Sequence, residues 1–451
     1  MLQFVRRRRG VAALVFVLSL AAVLAEVSLT TAQAVPVRQG AATVTPPPVY
    51  GRYAPQPGVR FNHWNDATRN YNKMHVLRTV QSVPPGGTIR WIIYSFGDRD
   101  ILNALVAARK RGVSVQVLAN FHNRETWAEW RALEKALGTR RVIAGKNPER
   151  ISWARMCDKS CRGYGGHVHL KVFLFSQAKT SKYVTMFGSW NPTWVANQRQ
   201  WNHLETSLDR DTYLGYLRVF AQAKLDRPFP YVQWASGSRL HMVFPKTGVT
   251  ARTDPMFMDL GKVRCTGVTG NTGRGGRTVI RIAMYAWYGH RGDWMAKRVR
   301  SLWSQGCNVA IIYGIMSDRA RLLLRSSSGR GPIPMRQATV PTVSAEPYRY
   351  LHDKYVALSG VWGDKTNATI VWAGSTNFSD LGFAADDSTA RTVIAPIVYN
   401  YFRDWEQVWR GKNVHKPHPT VVTNPVGRSA QPSNQLPSEL GEGIYRHLEA
   451  D

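Results

Sequence analysis

Two stretches of the chain share one order of hydrophobic patterns. Each begins with an apolar, β-branched and aromatic run, at 88–94 and again at 278–285, which predicts a buried strand. Apolar residues then recur at helical spacing, at about 98–111 and 293–305, and each helix is followed by a glycine and a further apolar run. The repeated strand, helix, strand order predicts an α/β fold with mostly parallel sheets, built by internal duplication.

Composition changes abruptly on both sides of this repeated unit. A cationic start, Arg6 to Arg9, precedes an apolar stretch and the small-x-small sequence that ends at Ala34, which is typical of a cleaved secretion signal. An uncleaved signal anchor is the alternative. The predicted organisation is a signal peptide (1–34), a Pro-rich linker (35–58), a first lobe (59–240), a second lobe (250–412) and a flexible C-terminal tail (416–451).

The chain is long enough for two cores and strongly basic. It has 451 residues, of which 44% are hydrophobic, and a formal charge of +31. Removal of residues 1–34, which hold four Arg and one Glu, would lower that charge by three, to +28. Such a charge favours anionic partners, namely nucleic acid, an anionic membrane surface or an acidic polymer, without choosing among them.

Four cysteines are consistent with export to an oxidising compartment. The simplest pairing joins Cys157 to Cys161 and Cys265 to Cys307. A metal site built from Cys157, Cys161, His167 and His169 is the alternative, although this spacing is not a strong zinc signature. We expect no metal and no cofactor.

One pattern, His-x-Lys followed by Gly-Ser-x-Asn, occurs once in each half. An imidazole, an ammonium group and amide or hydroxyl donors recur in the same order, and residues two apart on a strand face the same side. The two sets are His169, Lys171, Gly188, Ser189 and Asn191 in the first half and His352, Lys354, Gly374, Ser375 and Asn377 in the second.

Two such sets brought together would hold a phosphodiester. The lysines and asparagines would be catalytic in stabilising the non-bridging oxygens, with the Ser and Gly residues in substrate binding. One histidine would attack phosphorus, and the other would protonate the leaving alcohol.

On these motifs the chain resembles the phospholipase D superfamily, whose signature is HxK(x4)D followed by GSxN, over roughly residues 61–410. The resemblance implies a phospholipase D-like fold of two similar α/β/α lobes with the active site between them. It also implies His169 as the nucleophile and His352 as the acid and base.

The chain departs from the family at the Asp position, where Ser176 and Ser359 stand. The family also uses an acidic residue after GSxN to orient a histidine. Glu205 is the candidate in the first half, and Asp387 or Asp386 in the second. His167 either lines the pocket or is a polar residue at the strand entrance. Trp190 and Trp194 either border the pocket or, in the more common case, pack in the core.

Three functions remain open. The favoured one is a secreted phospholipase D that hydrolyses, or transfers to an alcohol, the headgroup of glycerophospholipids. Its support is export and the many tryptophans, of which Trp153, Trp287 and Trp294 are candidates to rest in a lipid interface. The alternative is a secreted, metal-independent nuclease, and the third is a binding protein without activity. We expect a phospholipid or membrane surface as the partner, nucleic acid as the alternative partner, and an active monomer.

Overall fold

The computed structural model describes residues 51–340, 349–414, 416 and 433. The predicted signal peptide, most of the linker and nearly all of the tail lie outside the described residues. The strands are β1 (Gly58–Asn62), β2 (Thr88–Ile93), β3 (Ser114–Asn120), β4 (Trp153–Cys157), β5 (Val172–Ala178), β6 (Ser181–Gly188), β7 (Gln200–Ser207), β8 (Val232–Ser236), β9 (Arg239–Val243), β10 (Val263–Arg264), β11 (Val279–Trp287), β12 (Asn308–Met316), β13 (Met335–Gln337), β14 (Thr339–Val340), β15 (Arg349–Leu351), β16 (Lys354–Trp362), β17 (Lys365–Gly374) and β18 (Ser388–Thr392).

The α-helices of the same residues are α1 (Tyr71–Gln81), α2 (Arg99–Lys110), α3 (Asn123–Thr126), α4 (Ala128–Leu137), α5 (Trp194–Gln198), α6 (Arg210–Ala223), α7 (Pro255–Leu260), α8 (Gly289–Ser304), α9 (Asp318–Leu324), α10 (Leu381–Ala384) and α11 (Ala395–Arg410). Both helices predicted from apolar spacing are present as α2 and α8. Gly112 and Gly306 follow them with φ of +88° and +96°, a backbone conformation that favours glycine.

The first sheet has the order β14-β15-β7-β6-β5-β2-β3-β4, with β1 paired to β7. Strands β2, β3 and β4 run parallel, but β2–β5, β5–β6 and β6–β7 are antiparallel. The prediction of mostly parallel sheets is therefore wrong, and the sheet is mixed. The physical reason is the short link between β5 and β6, which allows a hairpin and not a crossover.

The second sheet repeats this design. Its order is β13-β12-β11-β16-β17-β18-β9-β8, with β10 paired to β16. Strands β11, β12 and β13 are parallel and the pairs β11–β16 and β16–β17 are antiparallel. Because β8 and β9 belong here, the chain enters the second sheet before the boundary expected between 240 and 250. In return, β15 from the second half pairs in parallel with β7 of the first sheet.

Helices cover both faces of each sheet. In the first sheet, α1, α2 and α4 bury one face, where Ile101, Leu105 and Ala108 of α2 are fully buried, and α6 packs on the other face. In the second sheet, α7, α8 and α9 cover one face and α11 the other. The two α/β/α lobes are therefore confirmed.

The structure contains both predicted disulfides. The Cys157–Cys161 bond, here called the loop disulfide, precedes β5, and the Cys265–Cys307 bond, here called the lobe disulfide, joins β10's end to β12's start. Because both loop cysteines are oxidised, they do not supply thiolates to a metal, which contradicts the alternative zinc site. No helix within the described ranges is long and apolar enough to span a bilayer.

Candidate active site

The two His-x-Lys motifs lie at the entrances of strands, not within them. His169 and Lys171 immediately precede β5, and His352 precedes β16, which begins at Lys354. Because β5–β6 and β16–β17 are antiparallel hairpins, each motif lies beside the end of the partner strand, where its own Gly-Ser-x-Asn begins. Strands β2, β3, β11 and β12 end at the same edge. We call it the motif edge.

Backbone pairing between the halves brings the two motifs to one place. Val168, next to His169, bridges to Asp386 of the second half. Leu351, next to His352, pairs with Trp201 of β7 in the first half. The backbone N–H of His169 donates to Asp386 O (2.8 Å), and that of His352 donates to Trp201 O (3.0 Å). Each histidine is therefore fixed against the opposite copy of the repeat.

The side chains that orient the two histidines are unequal. His169 Nδ1 lies 3.1 Å from Asp387 Oδ2, so Asp387 is the acidic partner of the first histidine. His352 Nδ1 lies 2.8 Å from Oδ1 of Asn202, a neutral amide. The amide of Asn202 donates from Nδ2 to Gln200 Oε1 (2.9 Å), which leaves its oxygen to accept from His352 Nδ1–H.

Glu205 does not have the orienting role expected from the sequence. Its carboxylate accepts a hydrogen bond from Arg239 Nε at 2.6 Å, and both residues are buried. Successive residues of β7 alternate between the two faces of the sheet, so Glu205 and Asn202 point to opposite sides. Asn202 is therefore the residue that the sequence interpretation missed in this position.

The small residues of the motifs shape the site and hold its orienting groups. A Cβ on Gly188 would lie 2.4 Å from His203 O, and one on Gly374 would lie 2.1 Å from Ser388 O, so neither position accepts a side chain. The Ser189 hydroxyl donates to Asn202 Oδ1 (3.0 Å), and the Ser375 hydroxyl donates to Asp387 Oδ1.

These contacts correct the expectation that the two serines bind substrate. A hydroxyl has one hydrogen, and in each serine it is directed at the residue that orients a histidine. The serines therefore act as positioning residues, and the glycines allow the close backbone approach that this requires.

The lysines and asparagines of both motifs are held in matching positions. Lys171 Nζ donates to His169 O (2.9 Å), and Lys354 Nζ donates to His352 O (2.8 Å). Asn191 Oδ1 accepts from Ser95 N (3.3 Å), and Asn377 Oδ1 accepts from Ala286 N (3.2 Å). Because a backbone N–H donates to each amide oxygen, the two asparagines are held in the same orientation in the two motifs.

Two tyrosines complete the site and were not singled out in the sequence. The Tyr94 ring lies 5.2 Å from the His169 ring and 5.1 Å from Lys171 Nζ. The Tyr285 ring lies 5.0 Å from the His352 ring and 4.6 Å from Lys354 Nζ. Tyr94 and Tyr285 are the last residues of the equivalent apolar runs 88–94 and 278–285. Aligning the two halves would therefore have identified them.

Asp386 links the motif edge to the loop disulfide. Its Oδ2 accepts from Cys161 N at 2.5 Å, while its backbone carbonyl accepts from His169 N. Burial raises the pKa of Asp386 to about 7, against the opposing effect of the Arg162 guanidinium. Asp386 therefore supports the backbone of His169, whereas its neighbour Asp387 contacts the imidazole.

The serines at the family's Asp positions have matching structural contacts. Ser176 Oγ accepts from Thr88 N (2.9 Å), and Ser359 Oγ accepts from Gly273 N (3.0 Å). Ser176 therefore ties β5 to the first residue of β2, and Ser359 ties β16 to the segment before β11. Neither hydroxyl touches the histidines or lysines of the motifs.

Aromatic residues divide into core and rim. Trp190 is fully buried and donates to Asn197 Oδ1, and Trp153 and Trp287 are also buried, which contradicts their placement in a lipid interface. His167 lies at the rim, with its ring 6.4 Å from Phe121. Phe121 (46%) and Tyr164 (81%) are exposed on loops near the motif edge, and Trp194 (49%) is exposed at the start of α5, so it does not pack in the core.

Comparisons with known proteins identify a matching family model and similar folds. Residues 86–223 match the family described as cardiolipin synthase, PLD-like domain. The structure is similar to phosphatidylserine synthase from Haemophilus influenzae Rd KW20, with 10% identity, a TM-score of 0.52, and coverage of 79% of this chain and 87% of that one. It is also similar to polyphosphate kinase from Porphyromonas gingivalis, with 14% identity, a TM-score of 0.51, and coverage of 79% of this chain.

The chain spans about half the length of that kinase, 51%. At these identities the structural likeness establishes the fold alone. No curated protein sequence matches the chain.

Proposed function

We propose that this chain, whose residues 86–223 match the PLD-like domain family, is an exported phosphodiesterase or transferase of the phospholipase D superfamily. It would hydrolyse, or transfer to another alcohol, the headgroup of glycerophospholipids. The observation that carries the proposal is the meeting of both motifs at one edge, with His169 bonded to Asp387 and His352 to Asn202.

The unequal partners assign the two histidines. His169 donates Nδ1–H to a carboxylate, and therefore presents the Nε2 lone pair to phosphorus and gains stabilisation when the ring becomes positively charged. The bond from Nε2 to phosphorus forms as the bond from phosphorus to the headgroup oxygen breaks. His352, whose partner is neutral, gives its Nε2 proton to that oxygen.

The second step reverses the proton transfer. His352 removes a proton from water or an acceptor alcohol, whose oxygen attacks phosphorus and releases His169. Throughout, Lys171, Lys354 and the Nδ2 groups of the two motif asparagines stabilise the charge on the non-bridging oxygens. The tyrosines beside each His and Lys pair keep these groups in place.

Two features favour lipid over nucleic acid as the substrate. Phe121, Tyr164 and Trp194 expose aromatic surface around the motif edge, as expected where an enzyme meets a lipid interface. The names of two matches, cardiolipin synthase and phosphatidylserine synthase, also refer to phospholipids. The disulfides are consistent with export. One chain holds both motifs, so a monomer is sufficient for the activity.

One assay tests the proposal. Purified protein, with a chelator present, is offered phosphatidylcholine vesicles and plasmid DNA in parallel. We expect choline release without DNA nicking, and DNA nicking without choline release would establish the nuclease instead. His169→Ala and His352→Ala should each abolish turnover, while His290→Ala, at an exposed histidine, is the matched control. Retained turnover in both motif variants would refute the mechanism.

A further inference from the structure

A cleft of about 620 Å³ lies at the end of the first lobe opposite the motif edge. It is bounded by the last turn of α2, the end of α4 and the residues before β3 and β4. Since β2, β3 and β4 are parallel, their starts and their ends lie at opposite edges of the sheet. The seven residues of β3 separate the cleft from the motif edge by roughly 20 Å.

Four cations line this cleft, and none of its lining residues is acidic. They are Arg109, Arg140, Lys146 and Arg150. Arg150 donates to Gly86 O, and none of the four forms an ion pair with a carboxylate of the described residues. The carboxyl ends of α2 and α4 favour nearby cations but provide only partial charges. We call the cleft, as defined by these four side chains, the basic cleft.

Further positive charge surrounds the basic cleft. Lys110 and Arg141 are its neighbours in the chain, and Arg155 lies on the edge strand β4. Burial, and then the Arg141 guanidinium, lower the pKa of Arg155, against the opposing effect of the Asp226 carboxylate. Like charges crowded at one end of a lobe raise the free energy of the unbound protein, which an anionic ligand would relieve.

We propose that the basic cleft binds the backbone of a linear phosphate polymer, at a site separate from the catalytic one. Repeating phosphates match several guanidinium and ammonium groups in one concave surface, and binding releases counterions. The lining contains no aromatic side chain on which a base would stack, so the site reads phosphates and not bases.

The position of the basic cleft argues against a membrane as its occupant. The exposed aromatics Phe121, Tyr164 and Trp194 belong to the motif edge. A bilayer bound at the basic cleft would face the end of the lobe that lacks them, with the motif edge turned away. A polymer held there instead leaves the motif edge accessible.

The test measures binding of end-labelled linear inorganic polyphosphate, which contains neither bases nor lipid. The variant Arg109→Gln/Arg140→Gln/Lys146→Gln is compared with Arg69→Gln/Arg210→Gln/Arg218→Gln, which removes the same charge from exposed positions outside the basic cleft. At about 0.1 M salt we expect the cleft variant to lose roughly 100-fold in affinity, and its slope of log affinity against log salt to fall by about two to three.

The control variant should lose less than threefold. Turnover of a soluble chromogenic phosphodiester and the melting temperature should match wild type in both variants, and Lys146→Glu alone provides a second, smaller perturbation. Equal losses in the cleft and control variants would show a general charge effect and overturn the proposal. Selective loss of binding to phosphatidylglycerol vesicles, with polyphosphate binding kept, would identify a membrane site and also overturn it.

Discussion

Replacing Asp387 by Asn should impair His169, the proposed nucleophile, far more than the small change in side-chain volume suggests. In the wild type, Asp387 Oδ2 accepts from His169, while Oδ1 accepts from Ser375 and from Ser388 N (3.0 Å). An amide has only one oxygen, so it cannot satisfy both sides. If the oxygen stays with the serines, Nδ2–H faces His169 Nδ1–H, and the imidazole must move its proton to Nε2. That tautomer has no lone pair for phosphorus.

The magnitude follows from the contacts that are lost. A buried hydrogen bond to a charged group contributes about 1.5–3 kcal/mol, and the positively charged phosphohistidine loses its carboxylate partner. Taking about 2–3 kcal/mol from the transition state corresponds to a fall in rate of roughly 30- to 150-fold. The wrong tautomer adds to this loss.

The chain offers a matched reverse variant, Asn202→Asp, which places a carboxylate on His352 with equally small change in shape. The added charge should raise the pKa of His352 and move the pH profile upward. Its effect on the maximal rate should stay below about tenfold, because the nucleophile is untouched.

Rapid-quench measurement of the phosphoenzyme separates the two variants. Asp387→Asn should slow phosphoenzyme formation in a single turnover, whereas Asn202→Asp should form it normally and differ in its pH profile. Melting temperatures identify any folding defect. If Asp387→Asn forms the phosphoenzyme within threefold of the wild-type rate, or if Asn202→Asp is the slower of the two, the assignment of His169 as nucleophile is refuted.

Three further outcomes follow from the structure. The raised pKa of Asp386, about 7 from a usual 3.8, means that folded protein keeps a proton which unfolded chain releases between those values. Stability therefore falls as pH rises through that window, and Asp386→Asn should raise the melting temperature by a few degrees at pH 8, with little change at pH 4 by calorimetry. Replacing both cysteines of the lobe disulfide by Ser should lower the free energy of unfolding by about 4 kcal/mol, and the same change in the loop disulfide should lower it by about 2 kcal/mol. The difference follows from the sequence separations of 42 and 4 residues. Urea unfolding measures both, and only the loop variant should also lose turnover, through Asp386 and His169. Ser176→Ala and Ser359→Ala should each cost about 1 kcal/mol in the same assay, with turnover unchanged.

The spacing of apolar residues correctly predicted helices and strands that bury one face against their own lobe. The apolar positions of α2 and α8, the strands β2 and β11, and the glycines after the helices are all local features, and the structure agrees with each. Strand direction is different, because a buried strand has the same composition whether its neighbour is parallel or antiparallel. The link between β5 and β6, Lys179 and Thr180, carries no Asn-Gly or Asp-Gly signature, so the hairpin that makes the sheet mixed had no local signal.

The orienting residues of the site depend on contacts that cross between the halves. Asn202 lies 150 residues from His352, and it reaches that histidine because β7 pairs with β15. A search for acidic residues after each Gly-Ser-x-Asn selects Glu205 and passes over an amide. No pattern within one half contains this information, because the partner of each histidine comes from the other half.

Aligning the two halves with each other identifies the orienting residues that neither half indicates alone. Asn202 follows Ser189 by 13 residues and Asp387 follows Ser375 by 12, so the two orienting residues occupy equivalent places in the repeat. Both accept a hydrogen bond from a serine hydroxyl and from an imidazole Nδ1, and the geometry is therefore shared. What differs is one formal charge. A duplicated fold first yields two equal histidines, but phosphoryl transfer needs one that attacks and one that exchanges protons. Placing a carboxylate behind one and an amide behind the other distinguishes them without altering the backbone of either lobe.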